Sequence, residues 1–287
     1  MSERVNILKT YKLYINGAFP RTESGRYFII RDKSGNQLAN MCRASRKDFR
    51  NSVVTARKAF DGWMIRSAYN RGQILYRIAE MMEGRKSQFI DELVSQGYPK
   101  NKAQKEVEAS IDRFIYYAGW SDKYQQVFGT VNPVASAYFN FSMPEPTGVV
   151  VGTATDDQPL ISLSTLIAVS IVGGNTCIVL ASETQPLTAI TLAEVLNSSD
   201  VPAGVVNILT GYREELISHF SSHMDVNSIW YTNGDKNNRK LIQENASKNV
   251  KRVHFTTFDD WTKEEAENPY LIQDFQEIKT TWHPVGI

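Results

Sequence analysis

An α/β fold built on a doubly wound parallel sheet is what this sequence predicts, and three observations predict it. From Gly148 onward, short β-branched runs alternate with helical stretches five times over. Before that point lie long segments with apolar residues spaced three and four apart, the mark of helices with one buried face. At the start, Asn16-Gly17 between two apolar runs is the strongest short hairpin signal.

The elements follow in chain order. Tyr11 to Ile15, the Asn16-Gly17 turn and Ala18-Phe19 form the hairpin, and a second short strand from Arg26 to Arg31 closes at Asp32 to Gly35. Three helices come next. Arg46 to Trp63 aligns Phe49, Val53, Ala56 and Phe60. Arg71 to Leu93 aligns Ile74, Ile78, Met82, Phe89 and Leu93, and Asn101 to Tyr124 carries Val107, Ile111, Phe114, Ile115 and Ala118. Gly84, Gly97 and Pro99 interrupt or separate these helices. Val131 to Phe141, with Pro133, Pro144 and Pro146 around it, reads as an exposed or edge β-arm. The sheet strands are Val149 to Ala154, Cys177 to Leu180, Val205 to Leu209, Ser228 to Thr232 and Arg252 to Phe255. Helices at Leu160 to Val172, Pro186 to Leu196, Arg213 to Phe220 and Lys236 to Ala246 join them, which implies right-handed crossovers and helices on both faces. After an acidic stretch in which Asp259-Asp260 is placed to cap a short helix, Phe275 to Thr281 reads as a final strand.

Composition narrows the function. The chain has 287 residues, 42% hydrophobic and 22% charged, with a net charge of +1. Such a balance supplies no basic field for nucleic acid. No apolar run reaches membrane-spanning length, and the N-terminus lacks the apolar core of a signal peptide. Two cysteines, Cys42 and Cys177, without CxxC spacing, point to a reduced, cytoplasmic protein.

Several motifs together resemble the coenzyme domain of the aldehyde dehydrogenase superfamily. They are Gly148 to Gly152, Ile171 to Thr176, Ser182-Glu183, Pro186-Leu187, Leu192 to Glu194 and Pro202 to Gly211, in matching order and spacing. Leu13 to Gly17, Arg57 to Phe60 with Trp63, and Phe275 to Thr280 fit the same family's ends. Ala68 to Glu80 is similar to the branch known for tandem and non-catalytic copies. The resemblance implies a Rossmann-like sheet and NAD(P)-dependent oxidation of aldehydes, an oxidoreductase activity. It also implies an arm and closing strand that serve oligomerisation. The division it suggests is residues 1–124 as hairpin and helices, 125–147 as arm, 148–258 as coenzyme-type domain and 259–287 as closing helix and strand.

The departures from that pattern weigh as much as the matches. The family's oxyanion-holding Pro-Trp-Asn reads Thr155-Asp156-Asp157 here, and a carboxylate is an acceptor of the wrong charge. The ribose-binding lysine is Leu180, although Glu183 survives beside Ser182. The helix start that meets a pyrophosphate reads Thr232-Asn233-Gly234-Asp235, with an aspartate that repels a diphosphate. The general-base position is Thr256, and no cysteine follows Cys177 to act as nucleophile. The resemblance therefore implies a chain without its catalytic domain and with no catalytic residues. The degenerate cofactor positions that remain are Ser182, Glu183, Gly211 and Gly234, so the expected cofactor is none or a weakly held NAD(P). Two functions stay open: a non-catalytic partner of itself or of a catalytic aldehyde dehydrogenase, or a weak NAD(P) sensor.

Other clusters have simpler explanations. Asp156-Asp157 is either an acid–base pair at a strand end or a turn with Asx bonding. His219 and His223 share a helix face, but no third ligand is evident, so a surface helix end is expected and no metal site. Gly173-Gly174 ends a helix. Cys177 reads as a small core residue, and Tyr116, Tyr117, Trp120 and Tyr124 as packing.

Overall fold

The computed structural model describes residues 7–232 and 235–286. The hairpin forms around Asn16-Gly17, whose φ angles of 57° and 69° are those of a type I′ turn. Ile15 and Ala18 exchange both backbone hydrogen bonds at 3.0 and 3.1 Å. β1 (Thr10–Tyr11) runs parallel to β3 (Gln37–Cys42), and β2 (Tyr27–Arg31) pairs antiparallel with β3 on its other side. The sequence gives no sign of β3, which has no β-branched residue. Its pairing with β2 is what makes it a strand.

α1 (Arg46–Met64) opens on Ser45, whose hydroxyl and the Asp48 carboxylate form a capping box. The predicted helix over 71–93 is two, α2 (Ala68–Glu83) and α3 (Lys86–Ser95), because the chain turns at Gly84-Arg85. Likewise the predicted helix over 101–124 ends early. α4 (Lys100–Trp120) stops, and a short α5 (Tyr124–Phe128) follows. The arm is a two-stranded unit, β4 (Thr130–Asn132) and β5 (Tyr138–Pro146), rather than one extended segment.

The predicted α/β alternation is present throughout. β6 (Val149–Thr153), α6 (Pro159–Val172), β7 (Thr176–Leu180), α7 (Leu187–Asn197), β8 (Val206–Leu209), α8 (Arg213–Ser222), β9 (Ser228–Tyr231), α9 (Lys236–Ala246) and β10 (Arg252–Phe255) follow in order. The strands form an all-parallel sheet in the order β10-β9-β6-β7-β8. Every residue of α6 is buried, which accounts for its lack of a polar face. Among the described residues no helix is long and apolar enough to cross a membrane.

The segment after β10 holds no capped helix at Asp259-Asp260. Instead the Asp260 carboxylate accepts the Thr262 N–H and hydroxyl at 3.0 and 2.8 Å, a local turn. The chain then makes one 3₁₀ turn at Glu264–Ala266 and a short α10 (Tyr270–Gln273). β11 (Gln276–Pro284) lies antiparallel along β5 for nine residue pairs, from Gln276 opposite Pro146 to Pro284 opposite Tyr138.

One buried cation fastens this segment. Arg113 on α4 is 1% exposed. Its Nε donates to Glu267 at 2.9 Å, Nη1 to Thr165 Oγ1 at 2.5 Å and Ala266 O at 2.6 Å, and Nη2 to Trp261 O at 2.7 Å. Trp261 is thereby held beside Trp230, with Phe275 on that ring at 5.1 Å. Because a guanidinium buried in this way must be met on its N–H groups, the four acceptors and Arg113 require one another. Replacing Arg113 with Met should cost about 3–5 kcal/mol in urea unfolding. A loss under about 1 kcal/mol would show that the staple is dispensable.

Glu106, 1% exposed on the same helix, starts α6. Its Oε1 accepts the Leu160 and Ile161 N–H groups at 2.8 and 3.2 Å, while Oε2 has no donor. The hydroxyl of Tyr98 beside it gives its proton to the Asp157 carbonyl at 2.9 Å. Burial pushes the Glu106 carboxyl up from 4.5 to about 7. An acid whose pKa rises on folding takes up a proton on folding. Its stabilising contribution is therefore whole below about pH 4.5 and is lost as pH rises through about 7. The Glu106→Gln protein should match the wild type near pH 5 and exceed it by about 2 kcal/mol near pH 8. Parallel stability–pH curves for the two proteins would contradict the buried-acid assignment.

Candidate functional site

The sheet changes direction between β6 and β9. From β6 the chain winds outward through β7 and β8, then returns to the other side for β9 and β10. In open α/β sheets the crevice beyond the strand ends at such a switch is where ligands bind. Here it is a cleft of about 340 Å³ lined by Asp156, Asp157, Arg213, Thr232 and Phe258.

Its polar groups face one another. Asp156, three residues past β6, does not make the local Asx turn that its sequence suggests. Its Oδ1 reaches across to the turn after β7, accepting Ser182 Oγ–H at 2.7 Å and the Glu183 N–H at 2.8 Å. Its Oδ2 meets Arg213 Nη2 at 3.4 Å. Arg213 also donates to the Ala154 carbonyl at 3.2 Å and lies 3.9 Å from Glu183 Oε1. That same Glu183 oxygen accepts the Arg213 backbone N–H at 2.5 Å, satisfying the first turn of α8. The carboxylates of Asp156 and Glu183 and the guanidinium of Arg213 thus form one network across the ends of β6, β7 and α8. Among the described residues the Nε–H of Arg213 is left without a hydrogen-bond partner.

The sequence-predicted positions divide accordingly. Ser182 and Glu183 are in this network, and Ser182 is buried. Gly211 ends the β8 turn at φ 149°, and a Cβ there would meet the Ala44 backbone nitrogen at 3.2 Å, so close packing on the β3–α1 link fits its lack of a side chain. Gly234 lies outside the described residues. Leu180, at the lysine position, is buried in the core. Asp235 caps α9, accepting the Asn237 and Asn238 N–H groups at 3.0 and 3.3 Å. Its carboxylate therefore takes the place an anionic ligand would have at that helix start. Thr256, at the general-base position, accepts the Trp230 indole N–H at 2.6 Å.

Both cysteines are buried, and burial pushes the Cys177 thiol far up from its usual value, away from the thiolate a nucleophile needs. Among the described residues no group of three or more His, Cys, Asp or Glu side chains is arranged to hold a metal. His219 is in the last turn of α8 and His223 caps its end.

Arg213 is the site residue that sequence reasoning passes over. A cation at the first position of a helix runs against the helix dipole, and that misfit is the signal that an acidic partner awaits it. Glu106 escapes notice because a glutamate at that helical spacing looks like solvated surface. It forms the floor of a second cleft, of about 380 Å³, between Tyr98, Lys105, Asp157 and Asp260.

Comparison with known proteins agrees with this geometry. The model of the family described as aldehyde dehydrogenase matches residues 20–257. A putative aldehyde dehydrogenase of Bacillus subtilis (strain 168), DhaS, is 33% identical over 249 residues, covering 85% of this chain and 50% of that protein. Retinal dehydrogenase 2 of Homo sapiens is 32% identical over 253 residues, covering 86% of this chain and 48% of that protein. The NAD+ complex of an aldehyde dehydrogenase from Bacillus cereus superposes with a TM-score of 0.81 at 26% identity, over 86% of this chain and 50% of that one. The chain spans about half the length of the curated relatives it matches. A parallel sheet with its crevice at the β6–β9 switch, and a family match over most of the sequence, lead to one conclusion: this chain belongs to the aldehyde dehydrogenase family.

Proposed function

We propose that this chain is a non-catalytic aldehyde dehydrogenase-like subunit, cytoplasmic, that assembles with itself or with a catalytic relative and turns over no aldehyde. The observation that carries the reading is the self-contained network of Asp156, Arg213 and Glu183 across the crevice. A dinucleotide fits these residues poorly. The ribose position offers Leu180 in place of a lysine, Glu183 is already engaged, and Asp235 holds the start of α9. Thr256 is no base, and neither buried cysteine is placed to attack a carbonyl. The stapled segment from Phe258 to Phe275 leads from β10 directly to β11, where the family pattern places the catalytic domain. Ser182, Glu183, Gly211 and Gly234 are on this reading relics of a cofactor site.

The arm sheet supports assembly. β11 is one of its two outer strands, and Val131, Phe139, Ile278 and Trp282 expose between 44% and 69% of their surface on the sheet and its edges. Unpaired strand edges and uncovered aromatics favour a second chain. The alternative, a weak NAD(P) sensor, has one observation in its favour: the unpartnered Nε–H of Arg213 offers an anion a donor inside the crevice.

Three measurements test the proposal. Short aliphatic and aromatic aldehydes with NAD+ or NADP+ should give no NAD(P)H. Turnover within about a thousandfold of an ordinary enzyme rate overturns the non-catalytic assignment. Calorimetry should give dissociation constants of roughly millimolar or weaker for both dinucleotides, whereas low micromolar binding, about −8 kcal/mol, makes the sensor the better account. By light scattering the full chain should be an oligomer and a chain ending at Tyr270 should not. Two monomers of equal stability would remove the arm from the account.

A further inference from the structure

Away from the crevice, α1 and α8 pack side by side and leave between them a cleft of about 320 Å³ lined by Arg46, Phe49, Arg50, His219, His223 and Met224. We propose that this cleft binds a doubly charged tetrahedral oxyanion, the phosphate of a phosphorylated small molecule.

The argument begins with spacing. Arg46 and Arg50 are four apart on α1, and His219 and His223 are four apart along α8 and its cap. Each pair therefore presents on one helical face, and the cavity between the helices brings the two pairs together. Placing like charges four apart on a helix is unfavourable unless something offsets it. Close by, Lys47 is paired with Glu23 and Arg43 with Glu215. Among the described residues neither Arg46 nor Arg50 has a carboxylate partner.

His223 is preset to donate. The His223 ring lies edge-on to Phe49 at 5.7 Å, and its Nδ1 accepts the Asp225 N–H at 3.3 Å. That bond assigns the ring proton to Nε2. Both rings are held below the usual histidine pKa. For His219 the causes are burial and then Arg46; for His223 they are burial and then Lys251 and Arg50, with Asp225 opposing. The cleft thus holds two guanidinium charges beside two imidazoles whose charged form is disfavoured, with the Asp225 carboxylate near His223. A dianion seated among them reverses the local field, so each histidine gains a proton more readily when the anion is bound. By linkage, binding must then tighten as pH falls. The cavity opens onto the exposed Met224, apolar surface suited to the carbon skeleton of an ester.

Sulfate is the first probe, because its charge does not change over this pH range. Calorimetry of the whole protein should show one site that tightens at least tenfold, about 1.4 kcal/mol, between about pH 7.5 and about pH 5.5. By NMR, saturating sulfate should raise the pKa of both histidines by about one unit. The R46Q/R50Q double variant should lose binding at both pH values with an unchanged melting temperature, both arginines being exposed. The H219Q/H223Q variant should keep the neutral-pH affinity and lose the pH dependence. Glycerol 3-phosphate should bind at least as tightly as inorganic phosphate, and exclusion of the ester overturns the assignment to a phosphorylated small molecule. Histidine signals unmoved by sulfate at about 50 mM, or wild-type binding by R46Q/R50Q, would overturn the site itself.

Discussion

The fold depends on how Arg113 is met. A guanidinium removed from water is strongly destabilising unless its N–H groups are answered by well-placed acceptors. Here the acceptors come from two places: Thr165 on α6, the most deeply buried helix, and the backbone of Trp261 and Ala266 with the carboxylate of Glu267. One side chain therefore ties the helices before the sheet to the segment after it. Trp261 is fixed over Trp230 and, with Phe275, seals the apolar layer beneath β9. Phe275 leads straight into β11, whose first residue, Gln276, lies opposite Pro146 on β5. Glu106, on the same face of α4, starts α6 by accepting two of its first N–H groups. A buried acid and a buried base on one helix thus position the helix behind the crevice and the segment that borders it.

The crevice follows the same rule by another route. At the ends of β6 and β7, the carboxylate of Asp156 calls for a cation, and Arg213 supplies it from the first turn of α8. The dipole there is unfavourable to a cation, and two carboxylates offset it. The charges of this network are already answered by one another, which is the physical basis of the weak hold on an anionic ligand proposed above. The α1–α8 cleft is the reverse case, with its guanidinium charges unanswered. The contrast between these two surfaces makes the second the better candidate for binding an anion.

Much of this was legible in the sequence. The five parallel strands announced themselves as β-branched runs, and four crossover helices fell within two residues of their predicted ends. Asn16-Gly17 gave the turn it promised, and Gly173-Gly174 ended α6 as expected, with Gly174 at φ 91°. What escaped depends on partners distant in sequence. Gln37 to Cys42 has little strand character of its own and is held by β1 and β2 on either side. Gly84 marked an interruption in the sequence, but apolar spacing that continues across it concealed that α2 and α3 are separate helices. Neither sequence reading of Asp156, acid–base pair or local Asx turn, points to its partners, which lie 26 and 27 residues on. The family was legible from motifs, while the network that fills its crevice was not, because Arg213 and Asp156 acquire meaning only when β6 and α8 are adjacent.

If Arg113 truly unites the chain, the segment after β10 and the parallel sheet must open together. Native-state hydrogen exchange measures this directly, because amides that open only with global unfolding share one free energy. The backbone amides of Ala266, Ile272 and Phe275 should exchange with the same opening free energy and denaturant dependence as those of Val151 and Ile229 in the central strands. Exchange from the 261–275 segment at a free energy lower by about 3 kcal/mol or more, with the sheet still protected, would contradict the account.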